Sequence, residues 1–180
     1  MKKVYGNFYI DTFKNLDILI EEKLSKLITN NIKHVINLTE CEQLNVNHRV
    51  ALTRNGIKSL DFFNDSKLHE IKRVPPKYRS TEDISIRHAI RERIVEERSK
   101  FLFELSRSTQ NILFVCNRNN VLSPLFVCIM MHLRLCDDDV IYSILQDNKI
   151  VTTVKNKNDI NFYIDKYIKI IYNKLNEISK

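Results

Sequence analysis

The sequence predicts an α/β fold with a mostly parallel sheet, and three observations carry that prediction. "HVINLT" (34–39), "IKSLDFF" (57–63) and "NILFV" (111–115) are short apolar runs of the length and composition of buried strands. Between and after them lie longer stretches whose apolar residues recur at helical spacing. Strands alternating with helices in this way are joined by crossovers, and crossovers leave neighbouring strands parallel.

Taken in order, the chain opens on "VYGNFYI" (4–10), two β-prone runs around Gly6-Asn7, a pair suited to a tight turn. Leu16, Leu19, Ile20, Leu24, Leu27 and Ile28 then mark a helix that Asn30-Asn31 ends. After the strand at 34–39, Cys41 to Asn55 reads as helical, and Gly56 leads into the strand at 57–63. From Glu82 to about Ser106 the pattern is one helix, with Ile86, Ile90, Ile94, Phe101, Leu102 and Leu105 on its apolar side. Arginines and glutamates cover the other side at spacings that allow pairs within the helix, so that side is expected to be a solvated face. After 111–115, Ser123-Pro124 signals a helix start, serine as the cap and proline at the first helical position. "CDDDVIYSIL" (136–145) begins another helix, its aspartates placed at the positive end of the dipole. The last helix, Asp159 to Ile178, carries Ile160, Ile164, Tyr167, Ile168, Ile171, Leu175 and Ile178 on one face.

At 180 residues and 43% hydrophobic, the chain is expected to form one domain, 1–180, with a real core. No apolar run approaches the roughly 20 residues of a membrane span, and the amino terminus has no signal-peptide apolar region, so a cytoplasmic protein is expected. Cys41, Cys116, Cys128 and Cys136 lack zinc spacing and are expected to be reduced thiols, with Cys128 and Cys136 as packing residues. The five histidines are scattered, and neither a metal nor another cofactor is expected. A net charge of +7 favours acidic partners. Asn, Ile and Lys make up 60 of the 180 residues, a bias that AT-rich coding produces by itself, so part of this basicity has no bearing on partners.

The stretch "ILFVCNRNNVLSPLFVCIMMHL" (112–133) runs from strand through polar loop to helix, with Cys116 at the strand's end. In a cysteine-phosphatase pocket a cysteine stands there, and loop amides and the helix amino terminus hold phosphate and lower the thiol pKa. On these residues the chain resembles the dual-specificity protein phosphatases, the small poxvirus members among them. "GNFYIDTFKN" looks like that family's entry strand, "IKHVINLTE" like its I-x-x-V-L-N-L strand, and "DINFYIDKYIKII" like its closing helix, so the likeness covers nearly the whole chain. It implies a central, mostly parallel five-stranded sheet flanked by helices, a viral source, and a place in the host-cell cytoplasm or the virion.

The family signature is HCxxxxxR followed by Ser or Thr. With Cys116 at the nucleophile position, Val115 stands in place of the histidine, "NRNNV" fills the loop, Leu122 replaces the arginine and Ser123 keeps the hydroxyl. The arginine supplies bidentate, charge-assisted bonds to a dianion, and loss of such a buried partner costs roughly 3 to 5 kcal/mol, about 10² to 10⁴ in rate or binding. Arg118, elsewhere on the loop, is the alternative guanidinium, and Asn119 or Asn120 can replace glycine in the turn. Asp65, in "FFNDSK", resembles the family's general acid, though Asn64-Asp65 is equally a strand-end turn. Cys116 itself is either a nucleophile or a small buried hydrophobe. The expectation is therefore a protein without catalysis, with Cys116, Ser123 and Asp65 as vestiges of a site. A weak phosphatase using Cys116, Asp65 and Arg118 is the alternative, and a basic structural or nucleic-acid-associated viral protein is a third.

"SKLHEIKRVPPKYRST" (66–81) reads as a basic insertion beside the former pocket, stiffened into extended backbone by Pro75-Pro76. Lys72, Arg73, Lys77 and Arg79 are the candidates for docking an acidic or phosphorylated protein partner, against the alternative of a solvated loop. Nucleic acid is the less favoured partner. The chain opens at its entry strand, so a monomer, or a dimer that does not exchange amino-terminal segments, is expected.

Overall fold

In a computed structural model, residues 1–13, 22–40, 42–117, 121–147, 149 and 154–180 are described, the side chains of 154–156 excepted. Five strands form one sheet in the order β1-β2-β5-β3-β4. β1 (Lys2–Tyr5) and β2 (Phe8–Phe13) are antiparallel across the Gly6-Asn7 turn, while β2, β5 (Asn111–Asn117), β3 (Ile32–Asn37) and β4 (Lys58–Asp61) run parallel. The α/β class and the mostly parallel sheet are thus as the sequence predicts. Gly6 has φ +53°, and a Cβ there would stand 3.2 Å from a terminal nitrogen of Arg134. That arginine ties the turn down, donating to Asn7 Oδ1 at 2.7 Å.

The helices are α1 (Leu24–Thr29), α2 (Val46–Arg54), α3 (Ser66–Arg73), α4 (Thr81–Glu97), α5 (Ser99–Arg107), α6 (Leu122–Leu133), α7 (Asp138–Asp147) and α8 (Val154–Ile178), with a 3₁₀ turn at Pro76–Tyr78. Alternate residues of β5 enter two separate cores: Leu113 and Val115 pack with Leu27, Leu44 and Leu52 on one face, Ile112, Phe114 and Cys116 with α4 to α8 on the other. The larger core centres on Phe62, Phe63, Phe114 and Phe126, whose edge-on and tilted pairs have centroids 4.9 to 6.2 Å apart. Each such pair contributes about 0.5 to 1.5 kcal/mol beyond its buried area.

Several elements differ from expectation. The helix expected over 82–106 is two, broken at Arg98, where the Ser99 hydroxyl donates to the Val95 carbonyl at 3.0 Å and competes with the backbone ladder. The segment 66–81 is mostly helical: Asp65 caps α3 by accepting from the backbone of Lys67 and Leu68, and Leu68 and Ile71 are buried. Extended backbone is limited to Val74 and Pro75 before the 3₁₀ turn and to Arg79 and Ser80 after it. α6 begins at Leu122, so Ser123 lies inside the helix and caps nothing. α2 is capped by Asn45 and excludes 42–45; Cys41 and 14–21 lie outside the described residues. Cys136 lies beyond the end of α6, within 3.5 Å of the Tyr5 hydroxyl. On α8, Ile160, Ile164, Tyr167, Ile168 and Ile171 are buried, whereas Ile178 is exposed. Among the described residues no helix is long and apolar enough to cross a membrane.

Candidate functional site at the carboxyl ends of the strands

β5 delivers Cys116 to the carboxyl edge of the sheet, opposite Thr12 of β2, and the chain returns as α6. Helix entry brings the backbone N–H groups of Leu122 and Ser123 and the Ser123 hydroxyl toward the thiol, where they favour the thiolate. Burial opposes them and is the larger influence: Cys116 is 0% exposed, and its pKa is pushed up, with the Asp11 carboxylate adding to the rise. The thiol is neutral at pH 7. Ser123 is also fully buried, and its hydroxyl makes no hydrogen bond of full geometry with a described residue. Leu122, at the position of the signature arginine, is 2% exposed and belongs to the main core. Arg118, Asn119 and Asn120 lie outside the described residues.

The structure therefore brings Cys116, Leu122 and Ser123 together, while Asp65 is occupied elsewhere. One Asp65 oxygen accepts two backbone N–H groups of α3, and the other accepts from Arg93 of α4 at 2.8 Å. Of the four basic candidates on 66–81, Arg73 and Lys77 are exposed. Arg79 is turned back on its own segment, donating to the carbonyls of Val74 and Lys72 at 2.9 and 3.2 Å. Lys72 is half-buried, and burial together with Arg87, Arg79 and Arg91 lowers its pKa, against Glu40.

Glu40 is the feature that sequence reasoning missed. At the end of β3, Asn37 is fully buried and organises the following loop: its amide donates to Asp61 Oδ1 and to the Glu42 carbonyl, both at 2.8 Å, and its oxygen accepts from the Thr39 backbone and hydroxyl. The loop so held turns Glu40 inward, its side chain 0% exposed. Arg87 Nε donates to Oε2 at 2.9 Å, and Arg91 Nε donates to Oε1. Burial by itself raises the Glu40 pKa, but Arg91 and Arg87 outweigh it and hold the carboxyl below its usual range. Arg91 also lies over the Phe63 ring, 5.8 Å from its centroid.

α4 was expected to bury Ile86, Ile90 and Ile94; it buries Arg91, Ile94 and Val95, with Ile86 and Ile90 only partly covered. The available signal was a carboxylate at the end of an apolar strand, "NLTE", together with two arginines at i and i+4. Among the described residues no group of three or more His, Cys, Asp or Glu side chains could hold a metal ion. No family model, curated protein or solved structure matches this chain.

Proposed function

We propose that this protein is a catalytically inactive, dual-specificity-phosphatase-like protein that acts by binding a protein partner. The observation that carries the proposal is the state of Cys116, a thiol 0% exposed and kept neutral by burial, where a phosphatase needs an accessible thiolate. The buried Leu122 and the committed oxygens of Asp65 support it, since neither guanidinium nor free acid stands at those positions. Partner contact is assigned to α3 and the 3₁₀ turn, through exposed Arg73 and Lys77. The amides of Leu122 and Ser123 directed at the thiol favour the second reading, a weak phosphatase using Cys116.

Rates of aryl phosphate hydrolysis by the purified protein and by Cys116→Ser decide between them. Equal rates are expected, with millimolar phosphate giving Cys116 no protection from alkylation and Cys136, only partly buried, alkylating before Cys116 and Cys128. Activity that disappears in Cys116→Ser would overturn the proposal.

A further inference from the structure

Around Glu40 the charges do not balance. Arg79, Arg87 and Arg91 are all close enough to act on Lys72, and Glu40 is the carboxylate that Arg87 and Arg91 both meet. Glu40 takes only the Nε of each arginine, and among the described residues the terminal nitrogens of Arg87 and Arg91 have no hydrogen-bond acceptor. Arg91 is 6% exposed, yet none of its nitrogens, nor any of Arg87, is a sealed atom left without a partner. Lys72 Nζ likewise has no ion pair or hydrogen bond among the described residues. Tyr167 is 1% exposed, close enough to feel Arg91 and Glu40, and its hydroxyl has no hydrogen-bond partner among the described residues.

A guanidinium presents its donors as a planar fork that matches the oxygens of a phosphate, and bonds of this charge-assisted kind are about twice as strong as neutral ones. Two such forks held by one carboxylate, with an ammonium beside them, suit a dianion with three free oxygens. We propose that the terminal nitrogens of Arg87 and Arg91, with Lys72 and the Tyr167 hydroxyl, bind a phosphate monoester, and that its source is a phosphorylated side chain of a protein partner lying along α3 and the 3₁₀ turn. In this arrangement Glu40 is a positioning residue, since it orients both guanidiniums and leaves their outer donors unused. A peptide source fits the surroundings: Lys72 and Arg87 of the site are half-buried, while Arg73, Lys77 and Tyr78 are exposed on the segment that carries Lys72. A nucleic acid would require a continued track of cations instead. The partner assignment rests on the binding function proposed above; the phosphate site does not depend on whether Cys116 is inert.

The test uses the full chain, isotope-labelled, titrated first with inorganic phosphate and then with a mixture of short peptides carrying one phosphoserine, beside their unphosphorylated twins. Saturable amide shifts are expected at Glu40, Arg87 and Arg91. Arg87→Gln and Lys72→Gln should each weaken phosphate binding about tenfold and Tyr167→Phe several-fold, with melting temperatures recorded for all three. Cys116→Ser should change nothing. The site is overturned if no shift appears up to about 20 mM phosphate, or if shifts fall on 117–123 and survive Arg87→Gln. The partner assignment is overturned if phosphorylated and unphosphorylated peptides bind alike, or if a single-stranded oligonucleotide binds more tightly with a steep salt dependence. Hydrolysis of the phosphopeptides that requires Cys116 would sink the inactive-phosphatase proposal and leave the arginine site standing.

Discussion

β5 and β3 are neighbours in the sheet and end side by side, yet the ionisable residues at their ends differ in electrostatic character. At the end of β5 an ionisable thiol is buried against backbone amides and a hydroxyl, with no cation among the groups that shift it, and it stays neutral. After β3 a carboxylate buried just as deeply meets two guanidiniums and stays charged. The magnitudes explain the difference. A helix amino terminus is worth about 0.3 to 1 kcal/mol, at most about 2, whereas desolvating an ion costs several kcal/mol. Hydrogen bonds to charged groups contribute about 1.5 to 3 kcal/mol each, so two of them with full opposite charge can reverse the outcome. An anion pocket therefore needs charged donors; strand-end geometry and helix amides do not suffice.

The largest test of this contrast is to remove its charged half. Glu40→Ala leaves Arg91 buried beside no carboxylate, and a loss of about 3 to 5 kcal/mol is expected in denaturant unfolding. A loss under about 1 kcal/mol would mean that the pair does not organise the β3 loop. The same residue sets a pH signature. Because the folded-state pKa of Glu40 is lowered, its stabilisation is fully present above the unfolded carboxyl range near pH 4.3 and is lost as pH falls through the lower folded value. Glu40→Gln should lose that part of the acid limb.

A smaller effect is expected from charging the neutral half. Leu122→Arg puts a guanidinium at a position 2% exposed, and a loss of about 2 to 3 kcal/mol is expected with no gain in aryl phosphate turnover. Turnover that rises without loss of stability would show that the pocket lacks only its arginine. The smallest effect belongs to the exposed segment. Arg73→Glu with Lys77→Glu should move stability by under about 0.5 kcal/mol while weakening capture of the protein partner; unchanged capture would remove α3 from the docking surface.

Much of the fold was legible because its signals are local and periodic. Strand length and apolar content identified β3, β4 and β5, Gly6-Asn7 identified the first turn, and spacing on α8 found Ile160, Ile164, Tyr167, Ile168 and Ile171. Where the local signal misled, a specific competitor is visible: Asp65 capping turned an expected loop into α3, and the Ser99 hydroxyl split a continuous apolar pattern at Arg98. At the site, the sequence by itself determined which groups exist, a cysteine at the end of β5, a leucine in place of an arginine, and a carboxylate after β3 with two arginines about one helical turn apart elsewhere in the chain. Only the tertiary structure decided their states. Desolvation depends on what other segments lay over a group, and ion pairing on which distant side chain arrives there. Glu40 and Arg91 stand 51 residues apart in sequence, and no local pattern announces that they meet. The burial of Cys116 likewise follows from α6 and the main core closing over the end of β5, so the same strand-end cysteine reads as nucleophile or as packing until those contacts are known.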